Sequence, residues 1–220
     1  LKFRFRRCEH ELLTDLLPGR LDLSSGSWIA GGAARCMWFN KPEHIASVAS
    51  HHYRHDIDIF CASEQARDDV KSYIVKKWFN LAPTVHDPWE ISLHDKPPYT
   101  NIMNTQNATT YISCSHNDRY MNLQVINRLA LSLDELFDSF DLINCHFATN
   151  GIWMVTTEQA LDSWQQGIIQ RNPRYSGDIK ISRILKYCVY GLTPPRDMWK
   201  ELVSKSLETR SQGWNHDYTA

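Results

Sequence analysis

Asp56-Ile57-Asp58-Ile59-Phe60-Cys61 is the stretch that decides how this chain is read. Successive side chains of an extended strand point to opposite faces, so Asp56, Asp58 and Phe60 share one face and Ile57, Ile59 and Cys61 the other. Two carboxylates then stand together on a strand whose other face is aliphatic. Such a pair repels itself unless cations, hydrogen bonds or water compensate, and oxygen-ligated Mg2+ or Mn2+ is the usual compensation where phosphate is handled. Upstream, Ser27 to Ala30 reads as a short strand ending at Gly31-Gly32, and Ala33 to Phe39 suits a helix. A glycine turn opening a helix lets backbone N–H groups approach an anion at the positive end of the helix dipole. The same glycines also read as a plain tight turn, since the Walker lysine pattern is absent.

A third carboxylate sits in Phe140-Asp141-Leu142-Ile143-Asn144-Cys145, within a run read as a strand from Phe140 to Ala148. A buried Asp is costly unless paired or metal-bound, so Asp141 is the residue expected to join Asp56 and Asp58 in a two-cation cluster. Asp138 is the rival, read as a solvated residue at a helix end. The periodicity predicts further elements: a helix over 9–17, an amphipathic helix from Glu64 to Phe79, and an antiparallel hairpin of Thr109 to Ser115 with Asn122 to Asn127. Ser132 and Glu135 form the capping-box pattern of a short helix, Leu133 to Phe137. Residues 80–107 read as a long loop with one brief strand near Trp89 to Leu93. Beyond Gly151 the pattern turns helical, with helices expected at Thr157 to Gln170, Asp178 to Tyr190 and Pro195 to Leu207.

The order of Gly31-Gly32-Ala33-Ala34-Arg35, the strand Asp56 to Phe60 and the later Phe140-Asp141-Leu142 resembles the DNA polymerase β-like nucleotidyltransferase superfamily over residues 27–148. Arg183-Ile184-Leu185-Lys186-Tyr187, followed by Tyr190-Gly191, is similar to the helical element of small viral and phage members. The resemblance implies an α+β fold, a mixed β-sheet flanked by helices with a C-terminal helical segment. It divides the chain into a helical segment 1–26, a catalytic domain 27–154 and a helical segment 155–220. The implied activity is metal-dependent, template-independent transfer of a nucleoside monophosphate from a nucleoside triphosphate to a hydroxyl, with release of pyrophosphate. Asp56, Asp58 and Asp141 would be the catalytic and metal-holding residues, with Mg2+ or Mn2+ as the cofactor. Gly31 and Gly32 would meet the triphosphate through backbone N–H groups. Arg35 would reach a phosphate or pair structurally with a carboxylate. Arg183 and Lys186, three apart and so neighbours on one helix face, would form a phosphate clamp or a solvated basic face. Ser182 and Tyr187 are weaker candidates for hydroxyl or stacking contacts. The acceptor, an RNA end, a protein or a small molecule, is not readable from these residues. A metal-dependent phosphohydrolase and a non-catalytic, virion-associated or interaction protein retaining the fold are the alternatives.

Composition bounds these readings. The chain has 220 residues, 42% of them hydrophobic, enough for one core with a helical appendage. Its 24 Lys plus Arg against 25 Asp plus Glu supply no global positive field for nucleic acid. Arg4, Arg6 and Arg7, interleaved with Phe3 and Phe5, read as an ordinary edge strand, with a local nucleic-acid contact as the alternative. No apolar run is long enough to span a bilayer and residues 1–7 lack a signal-peptide core, so a cytoplasmic protein is expected, in host cytoplasm or virion for a phage member. Six singly spaced cysteines read as reduced, buried thiols. His51, His52 and His55, in the histidine-rich segment 44–55, lack ligand partners at zinc spacing and read as a solvated loop or an acceptor entrance. His146 is expected to pack or bond in the sheet, and Trp153, Trp164, Trp199 and Trp214 to anchor the core.

Overall fold

The computed structural model describes residues 1–8, 26–39, 56–79, 99–114 and 120–213. Their strands are β1 (Phe3–Arg7), β2 (Ser27–Ala30), β3 (Ile57–Cys61), β4 (Tyr99–Asn104), β5 (Ala108–Cys114), β6 (Tyr120–Leu129), β7 (Phe147–Thr149) and β8 (Trp153–Thr157). The helices are α1 (Gly32–Trp38), α2 (Glu64–Phe79), α3 (Leu133–Asp138), α4 (Glu158–Gln166), α5 (Ile181–Val189) and α6 (Arg196–Gly213), with a 3₁₀ turn at Ile143–Cys145. All eight strands form one sheet in the order β1-β8-β7-β2-β3-β6-β5-β4. Every neighbouring pair is antiparallel except β3 with β6, which run parallel across the crossover through α2. This is the mixed, helix-flanked α+β architecture expected from the sequence.

The alternation that defines β3 sorts the core into two layers. Ile57, Ile59 and Cys61 join Ile29, Leu123, Val125 and Met154 on one face, where α1 brings Ala33, Cys36 and Met37 and α2 brings Ala66, Val70 and Ile74. Phe60 joins Ala30, Ala148 and Val155 on the other face, under Leu136 and Phe137 of α3, Ile184 and Tyr187 of α5, and Leu202 of α6. Ala160 of α4 packs with Ala34, Ile143 and Phe147 at one end. Asp58 lies between Ile57 and Ile59 in β3, so its carboxylate is on the second face, in the field of Arg183 and Lys186 of α5.

Local chemistry explains most element ends. The Ser132 hydroxyl accepts from the Glu135 N–H, while the Glu135 carboxylate accepts from the Leu131 N–H at 2.9 Å, one residue short of the reciprocal bond expected of a capping box. Thr157 ends β8 and caps α4, its hydroxyl accepting from the Ala160 N–H, and Gly167 closes α4 in the left-handed region at φ 67°. Residues 3–7 form the edge strand the alternation suggests, with Arg6 lying over the Trp38 ring and donating to the Met37 carbonyl. Cys8, Cys36, Cys61 and Cys145 are buried, as expected of reduced thiols.

Three expectations are corrected. Of the run 140–148 only Phe147 and Ala148 are strand, where β7 begins. Leu142 makes an isolated bridge to Arg171, and the Ile143–Cys145 turn follows, because the Ile143 N–H is drawn to the Gln170 carbonyl at 3.0 Å. Helical pattern was expected beyond Gly151, yet Trp153–Thr157 is β8, and Trp153, expected in the core, is 48% exposed. Within the expected loop 80–107, Tyr99–Asn104 is the edge strand β4. The expected helix at 9–17, the brief strand near Trp89, the segment 44–55 and Trp214 lie outside the described residues.

Candidate nucleotide and metal site

Asp58 stands in the middle of the sheet, registered with Ala30 of β2 on one side and with Gln124 of β6 on the other. Asp56 immediately precedes β3 and shares its face two residues away. Both are half-buried. Burial pushes the Asp58 carboxyl up to about 7, and the neighbouring Asp56 charge pushes the same way, while Arg183 and Lys186 oppose it. Asp58 is therefore disfavoured as an anion, the condition a bound cation would relieve.

The cations opposite come from α5. Arg183 and Lys186 are separated by one turn, and Ile184 and Tyr187 of the same helix are buried, which holds the basic residues over the carboxylates. Burial lowers the Lys186 pKa, and Arg183 lowers it further, while Asp56 and Asp58 act in the opposite direction. The α5 helix thus has two positive groups in the field of two negative ones.

Asp141 reaches this cluster differently from the expectation. It sits on a bend, its backbone carbonyl accepting from the Asn172 N–H at 2.9 Å, and its carboxylate lies 3.2 Å from Arg183 Nε. The side chain is 16% exposed. Arg183 in turn donates through Nη2 to Cys145 Sγ at 3.3 Å, and that sulfur is 2.8 Å from the Tyr187 hydroxyl. Arg183 feels both Asp141 and Asp58, so the three carboxylates belong to one electrostatic cluster. Among the described residues, however, no group of three or more His, Cys, Asp or Glu is placed to hold a metal ion. Asp56 and Asp58, two residues apart on one face, are the carboxylates that could share a divalent cation. Asp141 is occupied by a guanidinium.

The glycine turn is built as expected, with a different use for one donor. Gly31 has φ 78° and ψ −134°, a conformation that L side chains rarely adopt. A Cβ there would meet Asp58 Oδ2 and the Phe140 ring only at 3.9 Å, so conformation rather than space demands glycine. Its N–H donates to the Phe147 carbonyl at 2.8 Å, tying β2 to β7, so this group is spent on the sheet. Gly32 starts α1.

Arg35 is 5% exposed, its guanidinium 4.5 Å from the ring centroids of both Trp164 and Tyr190. An aromatic sandwich of this kind is worth about 1–2 kcal/mol when desolvated, and it fixes the guanidinium between Trp164 of α4 and Tyr190 at the end of α5. Asp138 pairs with Arg174 at 3.2 Å on the surface, as a solvated residue would. His146 is buried and stacked on Phe137, and burial lowers its pKa to about 4, so it is neutral and structural. Ser182 has no described bond to the cluster, and Tyr187 is buried against Cys145. His51, His52 and His55 lie outside the described residues.

Gln124 carries no signal in the sequence. It occupies the strand position beside Asp58 because β3 and β6 run parallel in that register, a fact only the topology supplies.

The sequence matches the model of a family described as Gad2, Gabija anti-defense 2 family protein, over residues 3–167. No curated protein matches it. Among solved structures it is similar to the Thermotoga maritima CCA-adding enzyme complexed with tRNA, at 12% identity and a TM-score of 0.41, covering 76% of this chain and 36% of that one. A CCA-adding enzyme in complex with ATP is similar at 14% identity and a TM-score of 0.43, covering 75% of this chain and 35% of that one. The chain thus spans about a third of the length of these structures.

Proposed function

This chain belongs to the Gabija anti-defense 2 family, and we propose that it is a nucleotidyltransferase that moves a nucleoside monophosphate from a nucleoside triphosphate to a hydroxyl. The observation that carries the reading is Asp58, whose carboxyl is pushed up to about 7 by burial and by the Asp56 charge, in the field of Arg183 and Lys186 of α5. A triphosphate would bring negative charge to Arg183 and Lys186, and Asp56 and Asp58 would hold a Mg2+ or Mn2+ ion. When bound, that ion would neutralise phosphate oxygens and make the α-phosphorus more electrophilic.

The chain's own groups then have separable tasks. Lys186 and Arg183 bind the β- and γ-phosphates as point charge and fork respectively. The acceptor oxygen forms a bond to the α-phosphorus as the bond from that phosphorus to the bridging oxygen breaks, and pyrophosphate leaves with the electron pair on the α5 side. The hydroxyl proton passes to Asp141. For this Asp141 must give up Arg183, and the phosphates provide the exchange: the guanidinium that holds Asp141 in the free protein is the one the triphosphate attracts. Arg35 does not enter this scheme; it holds α1 against α4 and α5.

The ion pair between Arg183 and Asp141 also favours a second reading, a non-catalytic interaction protein whose third carboxylate has become structural. One assay separates the two. Each of the four labelled ribonucleoside triphosphates is incubated with Mg2+ or Mn2+ and the protein, and pyrophosphate release is compared between the parent and Asp56→Asn/Asp58→Asn. Release from the parent alone supports transfer. Equal release from both, or none from either, overturns it.

A further inference from the structure

We infer that Asn172 is a positioning residue for the reaction: it pins both peptide groups that flank the Asp141 Cα, and so aims the Asp141 carboxylate at the acceptor hydroxyl once Arg183 has gone to the phosphates. The inference rests on the nucleotidyl-transfer reading, in which Asp141 takes the hydroxyl proton, and concerns what holds that carboxylate in place. Asp141 is not part of a strand ladder; it lies on a bend between the end of α3 and the 3₁₀ turn, and β7 begins only at Phe147. Asn172 supplies the support three times over. Its side-chain Nδ2 donates to the Phe137 carbonyl at 3.0 Å and to the Phe140 carbonyl at 2.7 Å, and its backbone N–H donates to the Asp141 carbonyl at 2.9 Å. The Phe140 carbonyl belongs to the peptide group before the Asp141 Cα, and the Asp141 carbonyl to the one after it. Peptide groups are planar, so two fixed planes set the φ and ψ between them and with these the direction of the Cα–Cβ bond. One residue thus fixes the point from which the carboxylate reaches out.

Asn172 is itself locked. A residue before proline is confined to extended backbone, and Pro173 follows it. Its Oδ1 accepts from the Arg174 N–H at 3.1 Å, as in an Asx turn, and its carbonyl accepts from the Tyr175 N–H at 3.2 Å. The side-chain amide, Oδ1, N–H and carbonyl are therefore all engaged, and the residue is 2% exposed. Its neighbours tie the same two segments together along their length: the Gln170 carbonyl accepts from the Ile143 N–H at 3.0 Å, and Arg174 pairs with Asp138 at 3.2 Å.

A buried asparagine that merely closes a helix end would account for the Phe137 bond alone. The Phe140 and Asp141 carbonyls lie beyond α3, which ends at Asp138, and they are the two that bracket the carboxylate. In the free protein that carboxylate has a second tie, 3.2 Å to Arg183 Nε. The triphosphate draws the guanidinium away, so in the loaded protein the backbone has to aim Asp141. None of the Asn172 hydrogen bonds goes to Arg183 or Lys186, so holding the phosphates is not its task. Its loss should therefore slow the chemical step and leave triphosphate binding as it is, because misplacing a reacting group by about 1 Å costs rate on the order of a hundredfold.

The test measures kcat and triphosphate KM from Mg2+-dependent pyrophosphate release, with each ribonucleoside triphosphate and with glycerol, a mixed-sequence single-stranded RNA and a pool of Ser-, Thr- and Tyr-containing peptides as sources of hydroxyl. The parent is compared with Asn172→Ala, Asp141→Asn and the double variant, and with Thr157→Ala, which loses a helix cap elsewhere, as the control for stability. All are assayed well below their melting temperatures. Asn172→Ala should lower kcat by about tenfold to a hundredfold with KM within about twofold. Asn172→Ser, which keeps one hydroxyl donor, should lose less. Asp141→Asn should lower kcat roughly a hundredfold, and adding Asn172→Ala to it should change kcat by less than about twofold. Thr157→Ala should keep the parent's kcat. A parent-like kcat in Asn172→Ala, a loss matched by Thr157→Ala, or the same loss with and without Asp141 overturns the inference and leaves the transfer reading standing. A parent-like kcat in Asp141→Asn removes Asp141 as the proton acceptor and this inference with it, leaving Asp56 and Asp58 untouched. If the parent gives no release that Asp56→Asn/Asp58→Asn abolishes, the transfer reading itself fails and takes this inference with it.

Discussion

Replacing Asp58 by Asn should make the metal-free protein more stable at pH 8. The carboxyl titrates at about 7 in the fold against 3.8 for the free side chain, and burial is the main cause, with the Asp56 charge second. The native state thus holds a proton that the unfolded chain releases between about pH 4 and 7. The stability contributed by the protonated form is complete below about pH 4 and is lost as pH rises through 7. The full shift corresponds to about 4 kcal/mol; Asp58 keeps part of its surface in solvent, which halves this to about 2 kcal/mol. Urea melts of metal-free parent and Asp58→Asn from pH 4 to 8 measure it, and the difference between the two cancels every other titrating group. The advantage of the variant should be near zero at pH 4, grow through neutrality and level off near pH 8. Adding Mg2+ at pH 8 should stabilise the parent and not the variant. A difference that is flat with pH, or a variant less stable than the parent at pH 8, would refute the claim that Asp58 is a desolvated carboxylate waiting for a cation.

His146 gives the opposite slope. It is neutral in the fold with its pKa down at about 4, so its contribution to stability should rise by about 3 kcal/mol between about pH 4 and 6.5, read in urea melts as the difference between parent and His146→Gln. Asn172→Ala should cost about 2 kcal/mol in denaturant titration, because it leaves the Phe137 and Phe140 carbonyls without the donor now 3.0 and 2.7 Å away. Arg183→Lys should weaken triphosphate binding about tenfold, measured by equilibrium dialysis, since an ammonium cannot replace the guanidinium fork. Thr157→Ala should lower stability by about 1 kcal/mol through the lost α4 cap, seen as a drop in melting temperature.

The elements legible in the sequence are those whose periodicity has one interpretation. Ile57, Ile59 and Cys61 alternate with Asp58 and Phe60, and the two core layers divide along that alternation. Ser27–Ala30 and Glu64–Phe79 fall where strand and helix patterns predict them. Phe140 to Ala148 was illegible because a short apolar run reads alike whether its burial comes from a ladder or from packing. Here Phe140 and Leu142 are buried under the helices while Asn144 turns inward, accepting from the Gln170 N–H and donating to the Ile168 carbonyl and the Ser163 hydroxyl. Tyr99–Asn104 followed a Pro- and Asn-rich stretch and makes a strand only because β5 offers it an edge. The carboxylate pair and the basic residues of α5 could be named from the sequence. What could not be read was who stands next to whom: Gln124 beside Asp58, Arg183 upon Asp141, and two aromatic rings around Arg35.

Metal-dependent triphosphate binding tests the central claim most directly. Each labelled nucleoside triphosphate is titrated against the parent, Asp56→Asn/Asp58→Asn and Lys186→Ala, with Mg2+ and with EDTA. At least one triphosphate should bind the parent more tightly with Mg2+, the double variant should lose that increment, and Lys186→Ala should bind about tenfold more weakly. Equal Mg2+-dependent binding by the parent and the double variant, or no binding of any of them, would contradict the account.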